Sequence, residues 1–151
     1  MSDRVRGALF NTLGDIEGLT VLDAFAGTGA LSFEALSRDA ASALLIEIDK
    51  PAQRAIQESI TMLGLKSQAK LVSANSSGWS DNNPERRFDI VIAAPPYDDL
   101  QLSVVQKLAR HVAPDGLFVL DWPGKTAAPE IPGLEQIEQK NYGDAQLVFY
   151  R

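Results

Sequence analysis

The sequence has no cysteine and a single histidine, His111. Disulfides, thiolate metal sites and histidine-rich metal centres are therefore excluded. No run of about 18 apolar residues occurs, which leaves no candidate membrane-spanning helix. The start, MSDRVRGALF, is polar and lacks the apolar segment of a secretory signal. Positive charge is scarce: 14 Lys and Arg stand against 20 Asp and Glu, a formal net charge of −6. A strong nonspecific grip on nucleic acid needs a basic face, and this balance argues against one. A nucleic-acid substrate held locally, or presented by a larger particle, stays open. Local positive charge is confined to places such as Arg4 and Arg6 near the start and Arg86 and Arg87 before the fourth strand. No repeat, low-complexity tract or linker divides the chain, and 151 residues suffice for one domain with a sizeable core. A cytoplasmic, metal-free protein with no membrane contact is expected, forming a single domain over residues 1–151.

What is present is an alternation of short apolar runs with helical patterns. LTVLDAF (19–25), SALLIEID (42–49), AKLVSAN (69–75), FDIVIAA (88–94) and GLFVLDW (116–122) read as buried strands. Ser2 suits the cap of a helix carrying a stripe of Val5, Leu9, Phe10 and Leu13. TGALSFEALSR (28–38) is helical. Residues 51–63 carry Ala52, Ala55, Ile56, Met62 and Leu63 at helical spacing. A helix over 99–112 turns Leu102, Val105, Leu108 and Val112 inward, with His111 at its end as a surface residue complementing the helix dipole. LEQIEQK and AQLVFYR, joined around Asn141–Asp144, predict a closing antiparallel hairpin. The pattern predicts an α/β fold: a parallel sheet wrapped by helices, with an antiparallel edge. Ligands in such sheets bind at the carboxyl ends of strands, at the topological switch point. Asp23, Gly27, Glu47, Asn75 and the Pro-Pro-Tyr turn all fall at strand ends.

The loop DAFAGTGALS places Gly27 and Gly29 between a strand and its helix, where glycine permits a tight turn and a close ligand approach. The third glycine of a dinucleotide fingerprint is missing, since Ser32 stands there, and so is the Lys-Ser/Thr of a phosphate loop. Asp23 would repel a pyrophosphate but would accept from, or pair with, an ammonium. Glu47 follows Gly29 by 18 residues and ends the second strand, where a carboxylate holds ribose hydroxyls. Asp49 is a weaker neighbour. Asn75 ends the third strand and can reach the exocyclic amine of an adenine. A plain strand-to-helix turn with incidental surface acids is the alternative. Taken together, the residues describe a site for S-adenosyl-L-methionine, an adenosine carrying a sulfonium and an amino-acid tail.

VLDAFAGTGALSFEALSR, LLIEID and PPY resemble the class I S-adenosylmethionine-dependent methyltransferases. More narrowly, SDRVRGALFNTL followed by LDAFAGTGALSFEALSR resembles the bacterial 16S rRNA guanine-N2 methyltransferases of the RsmD type. The resemblance implies a Rossmann-like, seven-stranded sheet with the last strand inserted antiparallel. It implies methylation of a guanine amine in 16S rRNA within a small ribosomal subunit particle, by a monomer. It sets Asp23, Ala24, Gly27 and Gly29 along the methionine part of the cofactor, Glu47 on the ribose and Asn75 near the adenine. Two departures stand out. Family members begin with a basic segment and hairpin ahead of the SDRVR helix, whereas here that helix follows Met1 directly. The family turn has Asp or Asn before Pro-Pro-Tyr/Phe, whereas here the residue is Ala94.

A guanine amine is a poor nucleophile because its lone pair is delocalised into the ring. Acceptors on its N–H groups favour a pyramidal nitrogen and stabilise the developing positive charge. In the turn Ala94-Pro95-Pro96-Tyr97 the prolines fix the backbone, so the Pro95 carbonyl is one such acceptor. Tyr97 can stack on the base. Ala94 removes the side-chain acceptor and is expected to impair the reaction. Three origins remain open for it: an engineered change, a natural loss, or a change offset by Asp98 or Asp99. Rival functions are a cofactor-binding module for RNA or ribosome assembly and a methyltransferase for another amine. Trp79 and Trp122 read as packing residues, Trp122 with some chance of lining the base pocket. Asp121 beside it is ambiguous, and the Pro123–Pro132 loop suggests no chemistry.

Overall fold

The computed structural model describes all 151 residues. Seven strands form one sheet: β1 (Thr20–Asp23), β2 (Ser42–Glu47), β3 (Ala69–Ser73), β4 (Phe88–Ala93), β5 (Val112–Pro123), β6 (Gln136–Tyr142) and β7 (Ala145–Tyr150). Their spatial order is β3-β2-β1-β4-β5-β7-β6. The pairings among β1 to β5 are parallel, and β7 lies antiparallel between β5 and β6. The expected α/β fold, with its inserted antiparallel strand, is borne out. The helices are α1 (Asp3–Leu13), α2 (Ala30–Ser37), α3 (Lys50–Leu63), α4 (Ser76–Asn82) and α5 (Leu102–Leu108). None is long and apolar enough to cross a membrane.

The central strands are apolar on successive residues because both faces of the sheet are covered. On one face Val21, Leu45, Ile92 and Val119 meet Leu9 and Phe10 of α1, Ala35 of α2 and Ile56 of α3. On the other, Leu22, Leu44, Val91 and Leu120 meet Trp79 of α4 and Val105 and Leu108 of α5. Ser2 caps α1, its hydroxyl accepting from Val5 N at 3.2 Å.

Local details depart from the sequence reading for identifiable reasons. α4 has no apolar stripe in its sequence; it forms on an Asn75 cap and on the burial of Trp79. In α3 the inward residues are Ile56 and Ile60, four apart, whereas Met62 and Leu63 are 82% and 56% exposed. α5 is shorter than expected, leaving Leu102 exposed and passing Val112 to β5.

His111 is not a surface residue. A short 3-10 turn over Ala109–His111 swings its ring inside, where it is fully buried 4.7 Å from the Trp79 ring. Its Nδ1 donates to the Arg86 carbonyl at 2.8 Å, so Nε2 is the acceptor for the Ser80 hydroxyl at 2.7 Å. With the ring neutral, as its burial favours, these bonds make it a latch between α4 and the approach to β4. Burial lowers its pKa; the bond to the Arg86 carbonyl opposes this, and the nearby Arg110 charge adds to it. The unfolded chain therefore binds the extra proton, and the latch's contribution is complete above the unfolded pKa of about 6.5 and lost as pH falls below it. The melting-temperature advantage of the parent over His111→Gln should shrink between pH 7.5 and pH 5. Parallel pH profiles in thermal denaturation would show that His111 is not buried as the neutral base.

Candidate active site

The chain runs outward from β1 through β2 to β3, then returns to lay β4 on the other side of β1. The carboxyl ends of β1 and β4 are therefore the switch point of the sheet. Asp23 pairs in register with Ile92, so Ala24 and the Ala94 turn leave the sheet side by side. Two cavities open here, of about 260 and 700 Å³. Ala24, Ile46, Glu47 and Asn75 line the smaller; Arg6, Leu31, Pro95, Tyr97, Asp121 and Asp144 line the larger. Phe25, Gly27, Ala94 and Pro96 belong to both.

The glycine loop is shaped by its surroundings. Gly29 has φ +89°, and a Cβ there would lie 2.6 Å from Phe33 Cε2 and 3.1 Å from Leu45 Cδ2. Glu47 fastens the loop from β2: Oε1 accepts from Gly27 N at 2.7 Å, and Oε2 accepts from Ile48 N and Asp49 N at 3.0 and 2.8 Å. Gly29 and Asp23 lie on neither cavity wall. Asp23 is fully buried behind the loop, and the Ser32 hydroxyl donates to its Oδ2 at 2.7 Å. Ser32, at the place of the fingerprint's third glycine, is thus the partner of the first acid. Asp23 Oδ1 has no partner. Burial pushes the Asp23 pKa up to about 6, with the Ser32 bond opposing and the Glu47 charge adding.

Two expectations change. Asp49 is the cap of α3, accepting from Ala52 N at 3.0 Å. The Asn75 side chain caps α4 through Oδ1, which accepts from Gly78 N at 2.7 Å. Its uncommitted atom is the donor Nδ2, which suits a ring nitrogen of adenine rather than the exocyclic amine.

At the turn, Asp99 N closes on the Pro96 carbonyl at 3.0 Å, while the Pro95 carbonyl accepts no hydrogen bond from the chain. Asp98 and Asp99 are exposed and line neither cavity, so neither replaces a side chain at 94. Tyr97 is 43% exposed, yet its hydroxyl donates to Asp121 Oδ1 at 2.5 Å and lies 3.2 Å from the Trp122 carbonyl. Trp122 itself is buried packing outside both cavity walls. Asp121, left ambiguous by the sequence, joins the site. The available signal was an acid near the carboxyl end of an apolar run, as Asp23 and Glu47 also are. No three His, Asp or Glu side chains converge as metal ligands would.

This arrangement has relatives. Residues 1–151 match the family described as Conserved hypothetical protein 95. The chain belongs to that family. A conserved hypothetical protein from Streptococcus pyogenes has a structure similar to it, with a TM-score of 0.83 and 31% identity, over 96% of this chain and 93% of that one. The Ribosomal RNA small subunit methyltransferase D of Haemophilus influenzae is 37% identical over 63% of this chain and 51% of its own length. That of Escherichia coli K12 is 38% identical over 64% of this chain and 48% of its own. The chain thus spans about half the length of these curated relatives.

The residues present suit a cationic nucleoside cofactor: a carboxylate at the loop, a buried acid with an orphaned oxygen, and a loop held open by glycine. The buried acid carries a stability consequence. Asp23's folded pKa of about 6 exceeds the ordinary carboxyl value of 3.8, so the native chain binds the extra proton between these values. Stability therefore falls as pH rises through that window, by roughly 3 kcal/mol in all. Asp23→Asn does not titrate. Its melting temperature relative to the parent should rise by about 5–10 °C between pH 4 and pH 7, the part of that change falling in this range, at 2–4 °C per kcal/mol for a domain of this size. A pH-independent difference would mean that Asp23 is not charged in a dry site.

Proposed function

We propose that this chain transfers a methyl group from S-adenosyl-L-methionine to the N2 amine of a guanine in 16S rRNA, within a small-subunit particle in the cytoplasm. The observation that carries the reading is the meeting of two cavities at Phe25, Gly27, Ala94 and Pro96. A ligand in each would touch at the turn that ends β4. The relatives named small subunit methyltransferase D support the rRNA part.

In this reading Glu47 takes the ribose hydroxyls and Asn75 Nδ2 a ring nitrogen of the adenine. Ala24, Gly27 and Gly29 let the backbone lie close along the methionine part. The negative charge of Asp23 favours a cation across the thin loop, where little water screens it. When bound, the cofactor supplies an electrophilic methyl group. The chain's own task is to hold the amine, exclude water and accept its N–H groups. The Pro95 carbonyl is uncommitted and held by two rings. Tyr97 offers an exposed ring face whose far end is tied down by Asp121 and Trp122. Ala94 gives no acceptor, which alone favours the reading of an inactive cofactor-binding module. Single-turnover transfer of a radiolabelled methyl group to unmodified small-subunit particles distinguishes the two.

Calorimetry should detect cofactor binding, and Glu47→Ala should weaken it by roughly 1–3 kcal/mol as ribose hydroxyls lose their acceptor. Tyr97→Ala should slow transfer with cofactor affinity nearly unchanged, at a loss of about 1–3 kcal/mol of base stacking. No binding at millimolar cofactor would end the methyltransferase reading. Label arriving on a base other than guanine would end the substrate assignment.

A further inference from the structure

The acid missing from position 94 has a neighbour one strand away. β4 and β5 pair in parallel with Ala93 opposite Leu120. The next residues, Ala94 and Asp121, are therefore adjacent at the carboxyl edge of strands about 4.8 Å apart. Side chains alternate along a strand, so both leave on the face of Ile92 and Val119. Both line the larger cavity.

Asp121 is only 6% exposed, and its one hydrogen bond within the chain is through Oδ1, from Tyr97. Oδ2 has no hydrogen-bond partner in the chain, yet it is not among the fully enclosed unpartnered atoms, so it keeps a path to the cavity. A nearly buried carboxylate with an idle oxygen at a cavity wall is unfavourable unless a donor comes to it. Three other charged groups share this wall, and one of them, the Met1 amino terminus, acts on Asp121 through its charge without a hydrogen bond to it. Asp144 is exposed on the hairpin tip, and Arg6 is engaged by Asp3 at 3.1 Å and Glu34 at 3.8 Å.

We propose that Asp121 takes over the role of the acid absent at position 94: Oδ2 accepts an N–H of the target amine while Oδ1 holds Tyr97 in place as the stacking platform. The inference rests on the guanine-amine reading above and deepens it, since the acceptor is shifted from β4 to β5 without leaving the cavity. The same carboxylate then sets both the position of the base and the direction of its amine. Burial raises the Asp121 pKa, while the Tyr97 bond and the charge of the amino terminus act to keep the carboxylate ionised.

Guanosine and inosine differ by the N2 amine alone, and they give a readout independent of methyl transfer. With S-adenosylhomocysteine bound to the full chain, NMR titration should show guanosine favoured over inosine by about tenfold or more, the value of a hydrogen bond to a charged group. Asp121→Ala should abolish the preference. The shape-conserving Asp121→Asn, which keeps an acceptor oxygen, should retain part of it. The double variant Ala94→Asp/Asp121→Ala should restore it, which a merely structural role of Asp121 would not allow. In single-turnover transfer, Asp121→Ala should lose about 10²–10³-fold and Ala94→Asp should rescue it. A preference that survives in Asp121→Ala, or is absent from a parent that binds S-adenosylhomocysteine, overturns the assignment and leaves the cofactor reading standing. A parent that fails to bind S-adenosylhomocysteine overturns both.

Discussion

The Asp23 carboxylate lies beneath the glycine loop, fully out of water, with one oxygen on Ser32 and the other on nothing. An acid in that position opposes folding at neutral pH, and a chain selected for stability alone would carry an apolar residue there. Around it the charge is not relieved. Glu47 ends the adjacent strand and spends its oxygens on backbone N–H groups. Asp121, two residues before the end of β5, is nearly buried. The one arginine on the larger cavity's wall, Arg6, faces two acids of its own. The carboxyl edge of the sheet thus keeps a negative potential, offset only in part by the amino terminus on the larger cavity's wall, that a cationic ligand would relieve and a phosphate would not.

Topology puts that potential where two ligands can meet. Reversal of strand order between β1 and β4 opens a crevice at the sheet's edge, and the glycine loop and the Pro-Pro-Tyr turn face each other across it. The antiparallel end of the chain completes the outer wall. Tyr142 and Asp144, at the β6–β7 turn, line the larger cavity together with Val5 and Arg6 of α1. Arg4 lies 5.6 Å from the Tyr142 ring centroid, a contact that holds helix and hairpin together at the rim.

The parts of this architecture legible in the sequence are those written in contiguous residues. Strands buried on both faces must be apolar throughout, so β1, β2 and β4 stood out, as did the glycine loop and the proline turn. The parts that escaped depend on residues distant in the chain. α4 is polar and owes its existence to a pocket for Trp79 beneath it. His111 looked like a helix-terminal surface residue because Ser80 lies 31 positions away. Asp121 acquires meaning only from its register against β4 and from a tyrosine 24 residues earlier. Ser32 was read as a missing glycine, whereas its hydroxyl is the partner that makes the burial of Asp23 tolerable.

Glu47 now accepts three backbone hydrogen bonds, and a carboxylate has about four lone-pair sites. Two ribose hydroxyls therefore cannot bind without competing with Gly27 N for Oε1. A crystal structure of the chain with S-adenosylhomocysteine tests the central claim most directly. The account predicts the adenosine in the cavity of Ala24, Ile46, Glu47 and Asn75, its ribose hydroxyls on Glu47, the Gly27 N–H bond lengthened or released, and the sulfur beside Ala94 and Pro96. A ligand bound away from the β1–β4 edge, or one whose sulfur is walled off from the Asp121 cavity, would contradict it.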